Sequence, residues 1–314
     1  MLVEVLISML FVVLIVVLLG YFKPLWLMNY LPLGLHSKRI KDLPYSDEDE
    51  RHTLDLYIPK SKLKKHFNQH FNQESETKPV VVFIHGGAWD EGHKNDYKFV
   101  GLAFSEMGYI TAVPNYRLYP QVRFPHFIED VALAIANLPQ ILNQQGITYS
   151  NNLPVILVGH SAGAHSAAML VSKSDYLLNA GANVSVKALV GLAGPYDLPL
   201  DDELVTGKFD AVQRHKVSQH QIDSGHVHNG HEANPINLAT TSMPKVLLIH
   251  GAKDETVGPY HSERFSVRLT HLKVHHQHVV YKNTDHRHLV GGLSVLARFL
   301  NPVYKDIKRF LSTV

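Results

Sequence analysis

The chain has 314 residues, 45% hydrophobic, with 30 Lys and Arg against 28 Asp and Glu and a formal net charge of +2. So balanced a charge leaves no basic footprint for nucleic acid, and the length suits one large α/β domain better than two small ones. There is no cysteine, which excludes disulfides, thiolate metal sites and cysteine nucleophiles, while 22 histidines are an excess.

Leu2 to Leu19 is almost wholly Leu, Val, Ile, Phe and Met, interrupted by Glu4 and Ser8. As a helix this run is about 27 Å long, close to a bilayer's hydrocarbon core. Its start carries Glu4 rather than the basic residues of a secretory signal. Residues 1–22 therefore predict a single N-terminal membrane anchor, with secretion after signal cleavage as the alternative. Tyr21, Phe22, Lys23 and Trp26 fit the membrane interface. Lys23, Lys38, Arg39 and Lys41 favour a cytoplasmic domain but leave the side of the membrane open. Residues 23–44 read as a connecting segment before a domain over 45–314.

Leu54 to Pro59 alternates and predicts an edge strand ended by proline. Residues 61–78 are polar and lack an apolar period, which predicts a surface loop. Val80–Ile84 is a continuous apolar run suited to a central parallel strand. It enters His85-Gly86-Gly87-Ala88-Trp89. Tyr109–Val113 is a further strand. Phe127, Ile128, Val131, Ile135 and Leu138 recur at helical spacing, so Pro125–Leu142 predicts an amphipathic helix with proline in its first turn. Strands are expected at Val155–Val158, Ala188–Leu192, Val246–Ile249 and His278–Tyr281. Helices are expected at Ser262–Leu272, Leu289–Leu300 and Val303–Leu311. This alternation predicts a mainly parallel sheet covered by helices on both faces, with chemistry at the strands' carboxyl ends.

The run Val155–Val158 leads into Gly159-His160-Ser161-Ala162-Gly163. A buried strand, G-x-S-x-G and a following helix of small residues make a nucleophile elbow, whose sharp turn lifts the serine hydroxyl clear of the sheet. The pentapeptide alone is a weak signal; its partners decide. Gly86 and Gly87 offer backbone N–H groups unobstructed by side chains, and with the Ala162 N–H they make an oxyanion hole. Asp254 lies in the loop after the strand 246–249 and supplies the acid that orients a histidine, with Glu255 as the fallback. His286 follows the last strand and supplies the base, with His288 as its competitor. The order Ser161, Asp254, His286 is the order α/β-hydrolases use. His160 and His165 flank the serine too closely along the chain for the usual base.

These pieces together resemble an α/β-hydrolase of the carboxylesterase/lipase group with the His-Gly-Gly motif. The likeness is greatest to esterases of the kynurenine formamidase and isoprenylcysteine methylesterase type. Leu54–Pro59, His85–Trp89 with Gly92 and Lys94, Asn115–Pro120, Phe124-Pro125 with Asp130, Gly159–His165, Gly194–Asp197 and His250–Asp254 carry it in a shared order. The resemblance implies an α/β-hydrolase fold, with Ser161, Asp254 and His286 as triad and Gly86, Gly87 and Ala162 as oxyanion donors. It departs at Asp90, where an apolar residue is common, and in the polar run Asp285-His286-Arg287-His288. The implied reaction is cleavage of carboxylic esters through an acyl-enzyme, needing no metal or organic cofactor. Amide or formamide hydrolysis uses the same machinery, and a non-catalytic, membrane-tethered binding protein is the reading of a different class. The expected partners are a small-molecule or lipid-like ester and the membrane, not nucleic acid. Residues 198–237 fall where such folds carry a lid. Their His215, His220, His226, His228 and His231 read as a polar loop in preference to a metal site.

Overall fold

The computed structural model describes residues 4, 5, 7–9, 11, 28, 29, 37–61, 78–149, 152–200, 202, 203, 205–210, 212 and 232–314. Most of the expected membrane run Leu2–Leu19 and the five histidines of the expected lid lie outside the described residues. Among the described residues no helix is long and apolar enough to cross a membrane, and no group of three or more His, Asp or Glu is placed to hold a metal ion.

Among the described residues eight strands form one sheet: β1 (Ser37–Pro44), β2 (Thr53–Pro59), β3 (Val80–Ile84), β4 (Thr111–Pro114), β5 (Leu153–His160), β6 (Val184–Leu192), β7 (Lys245–Gly251) and β8 (His276–Tyr281). Their order is β1-β2-β4-β3-β5-β6-β7-β8. β1 and β2 pair antiparallel, as do β2 and β4, and every other pairing is parallel. The helices are α1 (Lys98–Glu106), α2 (His126–Gln144), α3 (Ala162–Ser172), α4 (Asp175–Asn179), α5 (Pro235–Leu238), α6 (Tyr260–His271), α7 (His286–Gly291) and α8 (Val303–Leu311). The α/β-hydrolase architecture expected from the sequence is present in the described residues.

The strand period of two divides the core. Val80, Val82 and Ile84 face one apolar layer with Phe127, Ile128 and Ile135 of α2, Ala164 and Ala168 of α3, and Phe265 of α6. Val81 and Phe83 face the other, with Phe99 and Phe104 of α1 and Ile307 and Phe310 of α8. β3 and β5 are therefore buried on both sides, which is why their sequences run apolar without alternation.

Two expectations about elements change. Leu54–Pro59 is not an edge strand: β1, from within the expected connecting segment, pairs along it. β1 reads Ser-Lys-Arg-Ile-Lys-Asp-Leu-Pro, and its charges are used. Arg39 Nε donates to buried Asp55 at 2.7 Å, Lys94 reaches Asp55 at 3.0 Å, and Lys94 also pairs with Asp42. The helix expected over Leu289–Leu300 is instead α7, beginning at His286 and ending at Gly291, followed by turns. Asp285 caps its start, accepting from the N–H groups of Arg287 at 3.1 Å and His288 at 2.8 Å. After it, Asn301 packs against Gly292 so closely that a Cβ there would lie 2.1 Å from its side-chain oxygen.

Candidate active site

The glycine loop, Ser161, Asp254 and His286 follow the carboxyl ends of β3, β5, β7 and β8 respectively. Ser161 stands between β5 and α3 with φ 56° and ψ −125°. A non-glycine residue in that region costs on the order of 1–3 kcal/mol and persists only where its surroundings enforce it. The Ser161 N–H donates to Leu192 O at 2.9 Å, and its carbonyl accepts from Ala164 N at 2.9 Å and His165 N at 3.1 Å. A Cβ on Gly159 would sit 2.2 Å from Gly163 O, and one on Gly163 would sit 2.1 Å from Ile84 O. Only glycine at both positions lets β5, α3 and the end of β3 approach this closely.

The glycine loop after β3 is strained as well. Gly87, Ala88 and Trp89 follow one another at φ 121°, 46° and 62°. The turn is closed by Asp90 N and Glu91 N donating to Gly87 O at 3.0 and 2.9 Å. Gly86 lies directly against the elbow: a Cβ there would be 2.9 Å from His160 O and 3.0 Å from Ser161 Cβ. Behind the loop, the Tyr116 hydroxyl donates to His85 O at 2.9 Å and the two rings stack at 4.3 Å. Burial pushes the His85 imidazole down to about 3, so it is neutral, and its Nδ1–H donates to Gly86 O at 2.8 Å. Arg51 donates to Tyr116 O and Gly92 O. The motif residue Tyr116 thus serves to hold the glycine loop, while Asn115 Oδ1 accepts from Lys94 N at 2.7 Å. Ala162 is the first residue of α3, so its N–H has no intrahelical partner and points out of the helix N-terminus beside Ser161.

Asp254 is buried in the loop after β7, and its Oδ2 lies 2.7 Å from His286 Nδ1. Its Oδ1 accepts from the N–H groups of Thr256 and Val257 at 3.0 and 2.9 Å. Burial alone raises the pKa of this carboxyl. The hydrogen bonds from His250 and His286, the His286 charge and the Val257 N–H outweigh burial and hold it well below the ordinary carboxylate range. His288 points elsewhere: its Nδ1 meets Asp285 Oδ2 at 2.6 Å on the exposed side of α7. The fallback Glu255 is exposed.

The described part of the expected lid packs on the same loop. Phe209 meets Trp89 edge-on at 5.0 Å and stacks on Phe124 at 5.3 Å. Asp90, where the sequence departs from the pattern it resembles, pairs with Lys208 at 2.5 Å. His165 is buried at the same place, its Nε2 donating to Ala233 O at 2.7 Å and its ring edge-on to Trp89 at 5.1 Å.

Two residues that the sequence did not single out as partners adjoin the site. Tyr97, at the end of a 3-10 turn over Lys94–Tyr97, brings its hydroxyl to 3.3 Å from His160 Nδ1. His160 Nε2 lies 3.1 Å from His286 O. No local pattern announces these contacts, because they join a 3-10 turn, the end of β5 and the start of α7, which are far apart in the chain.

The fold has wide company. The chain aligns over 90% of its length with a truncated carbohydrate esterase from gut microbiota, at a TM-score of 0.65 and 20% identity, covering 97% of that structure; this likeness concerns the fold alone. A probable isoprenylcysteine alpha-carbonyl methylesterase of Arabidopsis thaliana is 27% identical over 76% of the chain and 55% of its own length. A kynurenine formamidase of Danio rerio is 27% identical over 52% of the chain and 48% of its own length. The chain thus spans about half the length of the curated relatives it matches. The BD-FAE family model matches residues 67–269, more than half of the chain. That stretch contains the glycine loop, the elbow and Asp254, and the chain belongs to the BD-FAE family.

Proposed function

We propose that the chain is a serine hydrolase that cleaves carboxylic esters through an acyl-enzyme. The observation that carries this reading is the 2.7 Å bond between His286 Nδ1 and buried Asp254, at the sheet end where Ser161 is held in a strained elbow. Asp254 fixes the tautomer with Nε2 free to accept a proton and stabilises the imidazolium that results. Ser161 Oγ attacks the acyl carbonyl and gives its proton to His286 Nε2. The oxyanion is met by the Ala162 N–H and the glycine loop at Gly86 and Gly87, each donor being worth about 10²–10³ in rate. The C–O bond to the alcohol breaks and His286 returns the proton to the departing alkoxide. Water then attacks the acyl-serine by the same steps in reverse order, releasing the acid and free Ser161. These roles draw only on the chain's own residues.

The related methylesterase supports a small or lipid-like ester as substrate; the related formamidase supports N-formyl amides as the second reading. The apolar run Leu2–Leu19 supports anchoring by one N-terminal membrane helix. Retention of the chain in membranes washed with alkaline carbonate is the expected result, and its release would remove that element.

The activity is tested by hydrolysis of short p-nitrophenyl esters and of N-formyl amides by the wild-type chain and by Ser161→Ala. Wild type should hydrolyse the esters at least about 10⁴-fold faster than the variant. Equal rates would discard the catalytic reading, and faster amide turnover would replace the substrate class.

A further inference from the structure

His286 is held twice, and only one hold is the aspartate. Its ring bonds to Asp254 through Nδ1, which still lets the imidazole swing about that contact. Its backbone carbonyl lies 3.1 Å from His160 Nε2. A carbonyl can only accept, so His160 carries its proton on Nε2 and its Nδ1 is bare. Burial pushes the His160 imidazole down to about 3, which keeps that neutral tautomer. The bare Nδ1 needs a donor, and the Tyr97 hydroxyl lies 3.3 Å from it. Burial pushes the tyrosine pKa up, so it remains a phenol that donates. The His160 and His286 rings lie 4.8 Å apart. Gly86 abuts His160 Nδ1, a Cβ there falling 3.2 Å from it.

We propose that Tyr97 and His160 are positioning residues that fix the His286 loop over the elbow through the chain Tyr97 O–H to His160 Nδ1 and His160 Nε2–H to His286 C=O. The inference rests on the reading of Ser161, Asp254 and His286 as the triad. The side-chain bond to Asp254 and the backbone bond to His160 together set the plane of the His286 ring. The residue inside the elbow pentapeptide thereby carries the elbow's own position to the base. Tyr97 also stacks on His85, at the head of the glycine loop, with ring centroids 6.2 Å apart, so the nucleophile, base and oxyanion donors keep one register. Such alignment matters because errors near 1 Å in a reacting geometry cost about 10²-fold.

The test compares kcat and KM on a p-nitrophenyl ester for the wild-type chain, Tyr97→Phe, His160→Leu, His160→Gln and the double variant Tyr97→Phe/His160→Leu. Fluorophosphonate labelling and thermal melts are run on each. Tyr97→Phe and His160→Leu are expected to lower kcat about 3–10-fold each, the range of one ordinary hydrogen bond, with KM within about twofold. Gln, whose amide can donate to the His286 carbonyl, should recover most of the loss. The double variant should be no slower than His160→Leu alone, because the two residues act in one chain. Unchanged kcat in a folded, labelled Tyr97→Phe, or losses that multiply in the double variant, overturns the proposal. Tyr97→Phe keeps the ring packing, so it decides the matter even if His160→Leu melts early. A wild-type chain that neither labels nor turns over removes the triad reading first and this proposal with it, whereas an active, labelled wild type isolates the two residues.

Discussion

Two histidine–aspartate pairs stand side by side in this molecule with almost the same bond length. His286 Nδ1 meets Asp254 Oδ2 at 2.7 Å, and His288 Nδ1 meets Asp285 Oδ2 at 2.6 Å. Each aspartate also accepts two backbone N–H bonds on its Oδ1, so what differs is exposure and place in the fold. The His286 and Asp254 side chains are 12% and 0% exposed; those of His288 and Asp285 are 60% and 45%. The first pair joins the ends of two adjacent parallel strands and is fixed by the sheet. The second joins neighbours three residues apart at a helix start, where the aspartate's main work is capping. Distance alone therefore does not identify a catalytic dyad. What sets the 254/286 pair apart is its low-dielectric setting and its place at the ends of adjacent strands, on the side of the sheet where the elbow lies. An exposed pair such as 285/288 is screened by solvent and contributes little as an ion pair.

The comparison breaks most sharply under alanine substitution. His286→Ala is expected to lower kcat/KM about 10³–10⁴-fold and His288→Ala less than threefold, measured on the same ester. A large loss at His288 would exchange their roles. Next, Asp254→Asn should cost about 10²–10⁴-fold by favouring the wrong His286 tautomer. Asp285→Asn, which keeps a capping oxygen, should leave kcat within about threefold. A smaller loss at Asp254 than at Asp285 would contradict the assignment. Third, Asp285→Ala removes the cap of α7 and should lower stability by about 0.5–2 kcal/mol in denaturant titrations while kcat holds within a few-fold. An unchanged midpoint would show that the cap contributes nothing.

The smallest effect expected is on the pH dependence of stability. Burial pushes His85, His160 and His261 each from an ordinary 6.5 down to about 3. Each takes up a proton below about 6.5 when unfolded but only near 3 when folded. The unfolded state therefore binds more protons across that window, and Tm should fall as pH drops from 6.5 toward 3. Asp254, held below its ordinary 3.8, acts in the same direction: its contribution is present above that value and is lost as pH falls through its folded pKa. His261→Gln should flatten the Tm slope between pH 6.5 and 4 by about one proton. The same slope in variant and wild type would mean that His261 is not a buried neutral histidine in solution.

Much of this was legible along the chain, for identifiable reasons. β3, β5, β6 and β7 are apolar runs because both faces of the central sheet are covered. The elbow and glycine loop are legible because their backbones demand glycine at fixed offsets. β1 is not legible, since a strand whose charges are consumed by Asp55 looks like a polar linker until Asp55 is seen beside it. Helix α1 shows no clean polar face, being buried by Phe99, Val100, Ala103 and Phe104, with Gly101 under the Tyr57 ring. The choice between His286 and His288 could not be made from spacing, because two residues of offset decide which side of α7 a ring occupies. Tyr97 is silent in the sequence, since what it joins is remote in the chain: His160, and through it His286.

The central claim is that Ser161 and the buried pair, not the exposed one, form the reactive centre. Intact-mass and peptide mass spectrometry after fluorophosphonate treatment tests it most directly. One adduct on Ser161 is expected in wild type and at an equal rate in His288→Ala, with labelling slowed by about 10² or more in His286→Ala. An adduct on another residue, or labelling that survives loss of His286 but fails on loss of His288, would contradict it.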